Sequence, residues 1–159
     1  MWKHTSKNDY PNIILHDCFV TNISTQNNDI IFEFDDGFWI TDTHKENPYG
    51  QILRTGKSQM LFSNVDYDFS GIYIFKELKV FKKLMFTNRV SLAMKDFIAK
   101  INSGKWSFEI KDELYAWHQA VFVGDVRFNH RPYRREFQID LNVKEMIYSW
   151  NEIREDRVW

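Results

Sequence analysis

Between Asn28 and Thr43 the chain reads NDIIFEFDDGFWITDT, and its period of two leaves few folds open. Ile30, Phe32 and Phe34 alternate with Ile31, Glu33 and Asp35; Asp35-Asp36-Gly37 interrupts, and Phe38-Trp39-Ile40-Thr41 resumes. Successive side chains of a strand point to opposite faces, so such a run suits a pleated, half-buried ribbon. Asp-Gly between two such runs predicts a β-hairpin, because glycine takes the positive φ of a tight turn at no cost. The stretch sets an architecture and names no reaction.

The rest of the chain is consistent with that start. At 159 residues, 43% hydrophobic and 27% charged, it has the size and apolar content of one packed domain over 1–159. The 14 Phe, 7 Tyr and 6 Trp favour strands and point to an aromatic core. Basic and acidic residues nearly cancel, 21 against 22, which disfavours nucleic acid as a partner because counterion release rewards a basic excess. Cys18 is the only cysteine, so an internal disulfide and a cysteine-rich zinc site are excluded. No stretch reaches the about 18 consecutive apolar residues of a membrane helix, and the N-terminus lacks an apolar leader core. The chain reads as cytoplasmic.

Taken in order, residues 1–12 are a polar, loose lead-in and Ile13 to Thr25 a first strand. The hairpin of 28–43 follows, then a polar loop with Asn47-Pro48-Tyr49-Gly50. Ser58 to Val65 and Ile72 to Lys82 are two further strands. Val90, Met94, Phe97, Ile98 and Ile101 fall on one helical stripe, which predicts a helix over 88–103 capped by Asn88 and ended by Gly104. Trp106 to Ile110 and Leu114 to Val126 read as strands separated by a solvated Asp112-Glu113 turn. From Arg135 to Val143, Phe137, Ile139, Leu141 and Val143 face one way and Glu136, Gln138, Asp140 and Asn142 the other. Glu145 to Trp150 is a last short strand before a charged tail over 151–159. His16 to Ile23 faintly echoes His118 to Val126 with one inserted residue; β-rich composition produces such an echo by chance, and the sharper reading is two related hairpin units, Ile13 to Asp35 and Tyr115 to Leu141. The expected fold is mainly β (α+β): about eight or nine antiparallel strands in two layers or a curled half-barrel, with one amphipathic helix on them.

Four groupings carry candidate chemistry. His16 and Cys18 are two apart, but a catalytic thiol needs an exposed, electropositive setting, and a core thiol is the simpler reading. Asp35, Asp36, Asp42 and His44 match no metal-loop spacing, and turn chemistry explains the two adjacent aspartates, so neither metal nor cofactor is expected. Trp39, Trp106, Trp117 and Trp150 form a sugar platform only if three share an exposed face. Arg127, His130, Arg131, Tyr133, Arg134 and Arg135 make the densest basic segment, RFNHRPYRR. Guanidinium forks in a hairpin loop suit a phosphate, a carboxylate or an acidic partner, and this segment is the leading binding candidate. Phosphate-cradling glycine loops, G-x-S-x-G and H-E-x-x-H are absent from the sequence.

The order HDC-F-V-x-x-I at 16–23, then IIFEFDDGFWI at 30–40, then KINSGKW at 100–106 resembles a family of small uncharacterised mainly-β proteins of Gram-positive bacteria. That resemblance implies a β-rich fold and no mechanism. The functional expectation is a non-catalytic binding protein of immunity or regulatory type with a protein partner. The alternative is a small-ligand or carbohydrate-binding module using aromatic residues in a curled sheet.

Overall fold

The computed structural model describes the backbone of residues 1–80 and 83–159, and the side chains outside 78–85. Three antiparallel sheets and one helix, α1 (Met94–Asn102), make up the described chain. The first sheet runs, in spatial order, β1 (His4–Lys7), β14 (Glu145–Trp150), β8 (Ser58–Ser63), β5 (Asp29–Phe34) and β4 (Asn22–Gln26). The second runs β10 (Lys83–Leu92), β9 (Asp66–Val80), β13 (Arg134–Asn142), β12 (Gln119–Phe128), β11 (Trp106–Ala116) and β3 (Cys18–Val20). The third is small: β15 (Ile153–Val158), β7 (Leu53–Thr55), β6 (Trp39–Ile40) and β2 (Ile13–Ile14). Among the described residues no sheet closes into a barrel.

The two large sheets meet through aromatic rings. Phe122 of β12 packs against Phe62 at 5.5 Å and Phe32 at 6.0 Å, both from the first sheet. All three are buried, and each such side chain stabilises the fold by about 1.5–3 kcal/mol relative to exposure. The alternations at Ile30, Phe32 and Phe34 and at Phe137, Ile139 and Leu141 place their apolar sets in this core as expected.

The stretch at 28–43 departs from its reading as a hairpin. β5 pairs with β4 and β8, whereas β6 pairs with β2 and β7, so the two halves lie in different sheets. Asp35-Asp36-Gly37 is therefore a corner that carries the chain from the first sheet to the third. Gly37 sits at φ +74°, and a Cβ there would collide with the carbonyl oxygens of Thr55 and Gly56. Thr55, fully buried, clamps the corner: its Oγ1 accepts from Phe38 N–H at 3.0 Å and its N–H donates to Phe38 O at 2.8 Å. Period and turn residues are the same for a hairpin and a corner; only the register of distant partners separates them.

Other boundaries also move. The lead-in 1–12 contributes β1, paired to β14 from His4↔Trp150 to Lys7↔Ile147, and the tail 151–159 contributes β15 on β7. Ile13 to Thr25 is broken into three short strands by the left-handed Asp17, φ +57°, and by the step between β3 and β4. The expected strand Ile72 to Lys82 lies within β9, but Phe81 and Lys82 fall outside the described residues. Asn88 is not a helix cap: residues 88–92 pair with β9, and α1 starts only after Ala93, because tertiary pairing overrides local helical spacing. The two proposed hairpin units differ in register and partners. Cys18–Val20 pairs with β11, while the matching part of β12 pairs with β13 on one side and β11 on the other, which removes the duplication.

α1 buries Phe97 and Ile101, with Phe97 stacked on Phe137 at 4.7 Å. Its last residue does a second job. Asn102 Oδ1 accepts from Ile23 N–H at 2.8 Å and its Nδ2 donates to Ile23 O at 2.7 Å, so one side-chain amide pairs the outer edge of β4, buried at Ile23, as a neighbouring strand would. Asn102→Ala leaves both Ile23 groups unpaired at a buried residue, and urea denaturation is expected to show a loss of about 1–3 kcal/mol.

Candidate functional site

The site is organised by one glycine. Along β11 and β12 the register steps from Ile110↔Gly124 to Asp112↔Val123, leaving Lys111 as an extra residue. At that step the β11 backbone closes on β12, and a Cβ on Gly124 would collide with the Glu109 carbonyl oxygen. A bulge of this kind re-aims the side chains around it, and here it swings Lys111 over the outer face of the second sheet. Lys111 Nζ reaches Asp125 Oδ2 at 2.5 Å.

A groove of about 700 Å³ opens on this face, with Phe75, Val123 and Pro132 among its apolar lining and Lys111, Asp125, Arg134 and Arg135 among its charges. Glu77, Asp112 and Glu136 add acidic groups, so both signs are present. Two acids on this face are nearly buried, Glu109 at 8% and Asp125 at 9% exposure, and a buried carboxylate demands a cation. Arg127 answers Glu109 at 2.6 Å while lying over the Phe19 ring at 4.8 Å. Arg134 stands 3.7 Å from Asp125, beside Lys111.

The six residues singled out in the sequence thus divide. Arg127 and Arg134 are engaged by scaffold acids. Arg134 and Arg135 line the groove. His130, Arg131 and Tyr133 belong to the β12–β13 loop, which Phe128 N–H closes on Tyr133 O at 2.8 Å. His130 stacks on Phe128 at 5.8 Å, and Tyr133 is 62% exposed. Among the described residues, Arg131 and Arg135 have no carboxylate partner. Lys111, Asp112, Asp125 and Phe75 were not singled out in the sequence, where Asp112-Glu113 reads as a turn. The one available signal was Gly124 inside an otherwise apolar strand pattern.

The same bulge turns Glu113 inward. Leu15 N–H lies 3.2 Å from both of its carboxylate oxygens, and burial pushes its pKa up to about 7, outweighing the Leu15 and Tyr115 hydrogen bonds that favour the ionised form. Nearby Cys18 is fully buried, and burial pushes its thiol up to about 12. His16 points instead to the Lys111 carbonyl, so the pair does not form an activated nucleophile.

The other candidates are scattered. Asp35 pairs with Lys57 and Asp36 with Arg54 and Arg154, while His44 is buried with Nε2 3.0 Å from Asp9 Oδ2 and its Nδ1 accepting from Glu46 N–H. Among the described residues no cluster of three or more metal-ligating side chains occurs. Trp150 is buried, Trp106 packs on Phe97 and Phe128, Trp39 packs on Trp159, and Trp117 is fully exposed at a turn, so the four share no face. No helix among the described residues is long and apolar enough to cross a membrane. No protein-family model, curated protein or solved structure matches the chain.

Glu113 makes stability depend on pH. Its folded pKa of about 7 lies above the ordinary 4.5, so the folded state holds the proton more tightly and stability falls as pH rises from about 5 to above 7. Urea midpoints of Glu113→Gln are expected to be flatter across that window and higher than wild type at pH 8.

Proposed function

We propose that the protein is a non-catalytic binding protein, of regulatory or immunity type, that engages a protein partner through the groove beside the Gly124 bulge and the adjoining arginine loop. The observation that carries this reading is the contrast among the arginines. Arg127 and Arg134 sit against scaffold acids, whereas among the described residues neither Arg135, which lines the groove, nor Arg131, in the adjoining loop, has a carboxylate partner. A guanidinium left unmatched beside an apolar floor and a two-signed rim has the makeup of a protein interface, where Arg is enriched and charged pairs set register. A second reading, a small-ligand module, is favoured by the groove's volume of about 700 Å³, within the usual range for such sites. The charged lining and the separation of the tryptophans favour the protein partner.

Arg131→Glu/Arg135→Glu leaves the ion pairs of Arg127 and Arg134 in place. Wild type and this variant, matched in near-ultraviolet circular dichroism, are immobilised and exposed to crosslinked extract of the source cells. A partner held by wild type and weakened at least tenfold on the variant is expected, since two charge-assisted hydrogen bonds are at stake. Identical retention on both would remove the groove from consideration.

A further inference from the structure

A cleft of about 290 Å³ opens beside the β11–β12 turn, at the far end of β12 from the arginine loop. Trp117 and His118 form the whole turn between the paired Ala116 and Gln119, and Trp117 holds the φ of +55° that such a turn requires. Its ring is thus carried on a defined backbone at the cleft, fully exposed. Tyr10 and Tyr115 form a neighbouring aromatic wall, stacked at 4.7 Å. Tyr148 Oη donates to Tyr115 Oη at 3.5 Å, which ties that wall to the core, while Tyr10 stays 43% exposed. Buried Val143 and Met146 complete the apolar lining.

Polar side chains stand beside the rings. Among the described residues, the side chains of His118 and Gln119 make no hydrogen bond or ion pair, and Lys144 pairs with no carboxylate. The carboxylate of the lining, Glu145, is held by Lys7 at 2.7 Å. That makeup selects among ligand classes. An organic cation would meet the unpaired ammonium of Lys144 and find Glu145 already engaged. A bare anion would meet ring faces, which carry the negative side of the aromatic quadrupole. A wholly apolar ligand would strip water from the Gln119 amide and the His118 ring and return no hydrogen bond. A pyranose matches both halves of the lining: its C–H face packs on an aromatic ring, and the hydroxyls around its edge both donate and accept. The cleft equals roughly ten waters of liquid volume, the scale of one sugar ring.

We propose that the cleft is a binding site for a single uncharged pyranose, stacked on Trp117 and hydrogen-bonded by Gln119, His118 and Lys144. Its platform is one tryptophan with two tyrosines, in place of the four tryptophans that share no face. The site is separate from the groove, and its test does not depend on the function proposed there.

Proton–nitrogen correlation spectra of the protein, titrated with the methyl glycosides of glucose, galactose, mannose and N-acetylglucosamine, test it at the Trp117 indole N–H and the Gln119 side-chain amide. At least one glycoside is expected to move both signals to saturation with a millimolar dissociation constant, the affinity of a ligand with so few contacts. Xylitol, an open-chain polyol, is expected to move neither. Trp117→Asn keeps a residue that accepts the turn conformation, and Gln119→Ala leaves the ring in place. Each is expected to weaken binding about fivefold to tenfold at an unchanged melting temperature, read at the signal that remains. The proposal is overturned if no glycoside reaches saturation, if xylitol matches the glycosides, or if Trp117→Asn binds like wild type. Saturable shifts produced by tetramethylammonium or sulfate and by no glycoside overturn it as well.

Discussion

The close approach of the Glu109 carbonyl to Gly124 is the constraint on which the functional half of the molecule depends. Without a side chain at 124 the β11 backbone closes on β12 and one residue, Lys111, is left over. Everything C-terminal to it changes face. Glu113 and Tyr115 turn towards the core and Leu114 turns out to 64% exposure. The bulge brings Lys111 to Asp125, which lets a nearly buried carboxylate persist and seats Arg134 beside it. It also sets the phase in which β11 reaches its turn, and hence the position of Trp117.

The other half is held by corners and covered edges. Short strands passing between three sheets leave many backbone groups to be matched by something other than a ladder. Thr55 does this at the Gly37 corner, Asn102 at the β4 edge, and Asn47 in the loop before β7, where its Nδ2 donates to Thr41 O at 2.9 Å and Gln51 O at 2.8 Å. Each is a single polar side chain standing in for a strand; Thr55 and Asn102 tie segments that the sequence separates, and Asn47 closes its own loop. The arrangement places the cost of the corners on a few residues.

How much of this was readable in advance follows from the range of the forces involved. The strand at Phe137, Ile139 and Leu141 has one wet and one dry face, and its alternation records that directly. The stripe of α1 was readable at Phe97 and Ile101 for the same reason, but its start was not, because pairing of 88–92 with β9 is a long-range event. Asp-Gly at 36–37 looks identical in a hairpin and in a corner. Leu114 to Val126 reads as one strand because Trp117 has high strand propensity, and only its left-handed backbone reveals the turn. The arginine segment was visible from charge density. The groove it borders was not, since Lys111 reaches it through a bulge whose one trace in the sequence is a glycine on the neighbouring strand.

The face reversal at Lys111 is open to direct measurement through single cysteines at positions 113 and 114, in a protein whose own Cys18 is fully buried with its thiol pushed up to about 12. Iodoacetamide labelling of the native variants at neutral pH reads which side chain faces water. With the bulge in place, a cysteine at 114 labels at close to the rate of a free thiol and one at 113 labels far more slowly. Rapid labelling at 113 with protection at 114 would mean that β11 runs through Lys111 without the bulge, and would contradict the account of the groove, of Glu113 and of the Trp117 turn together.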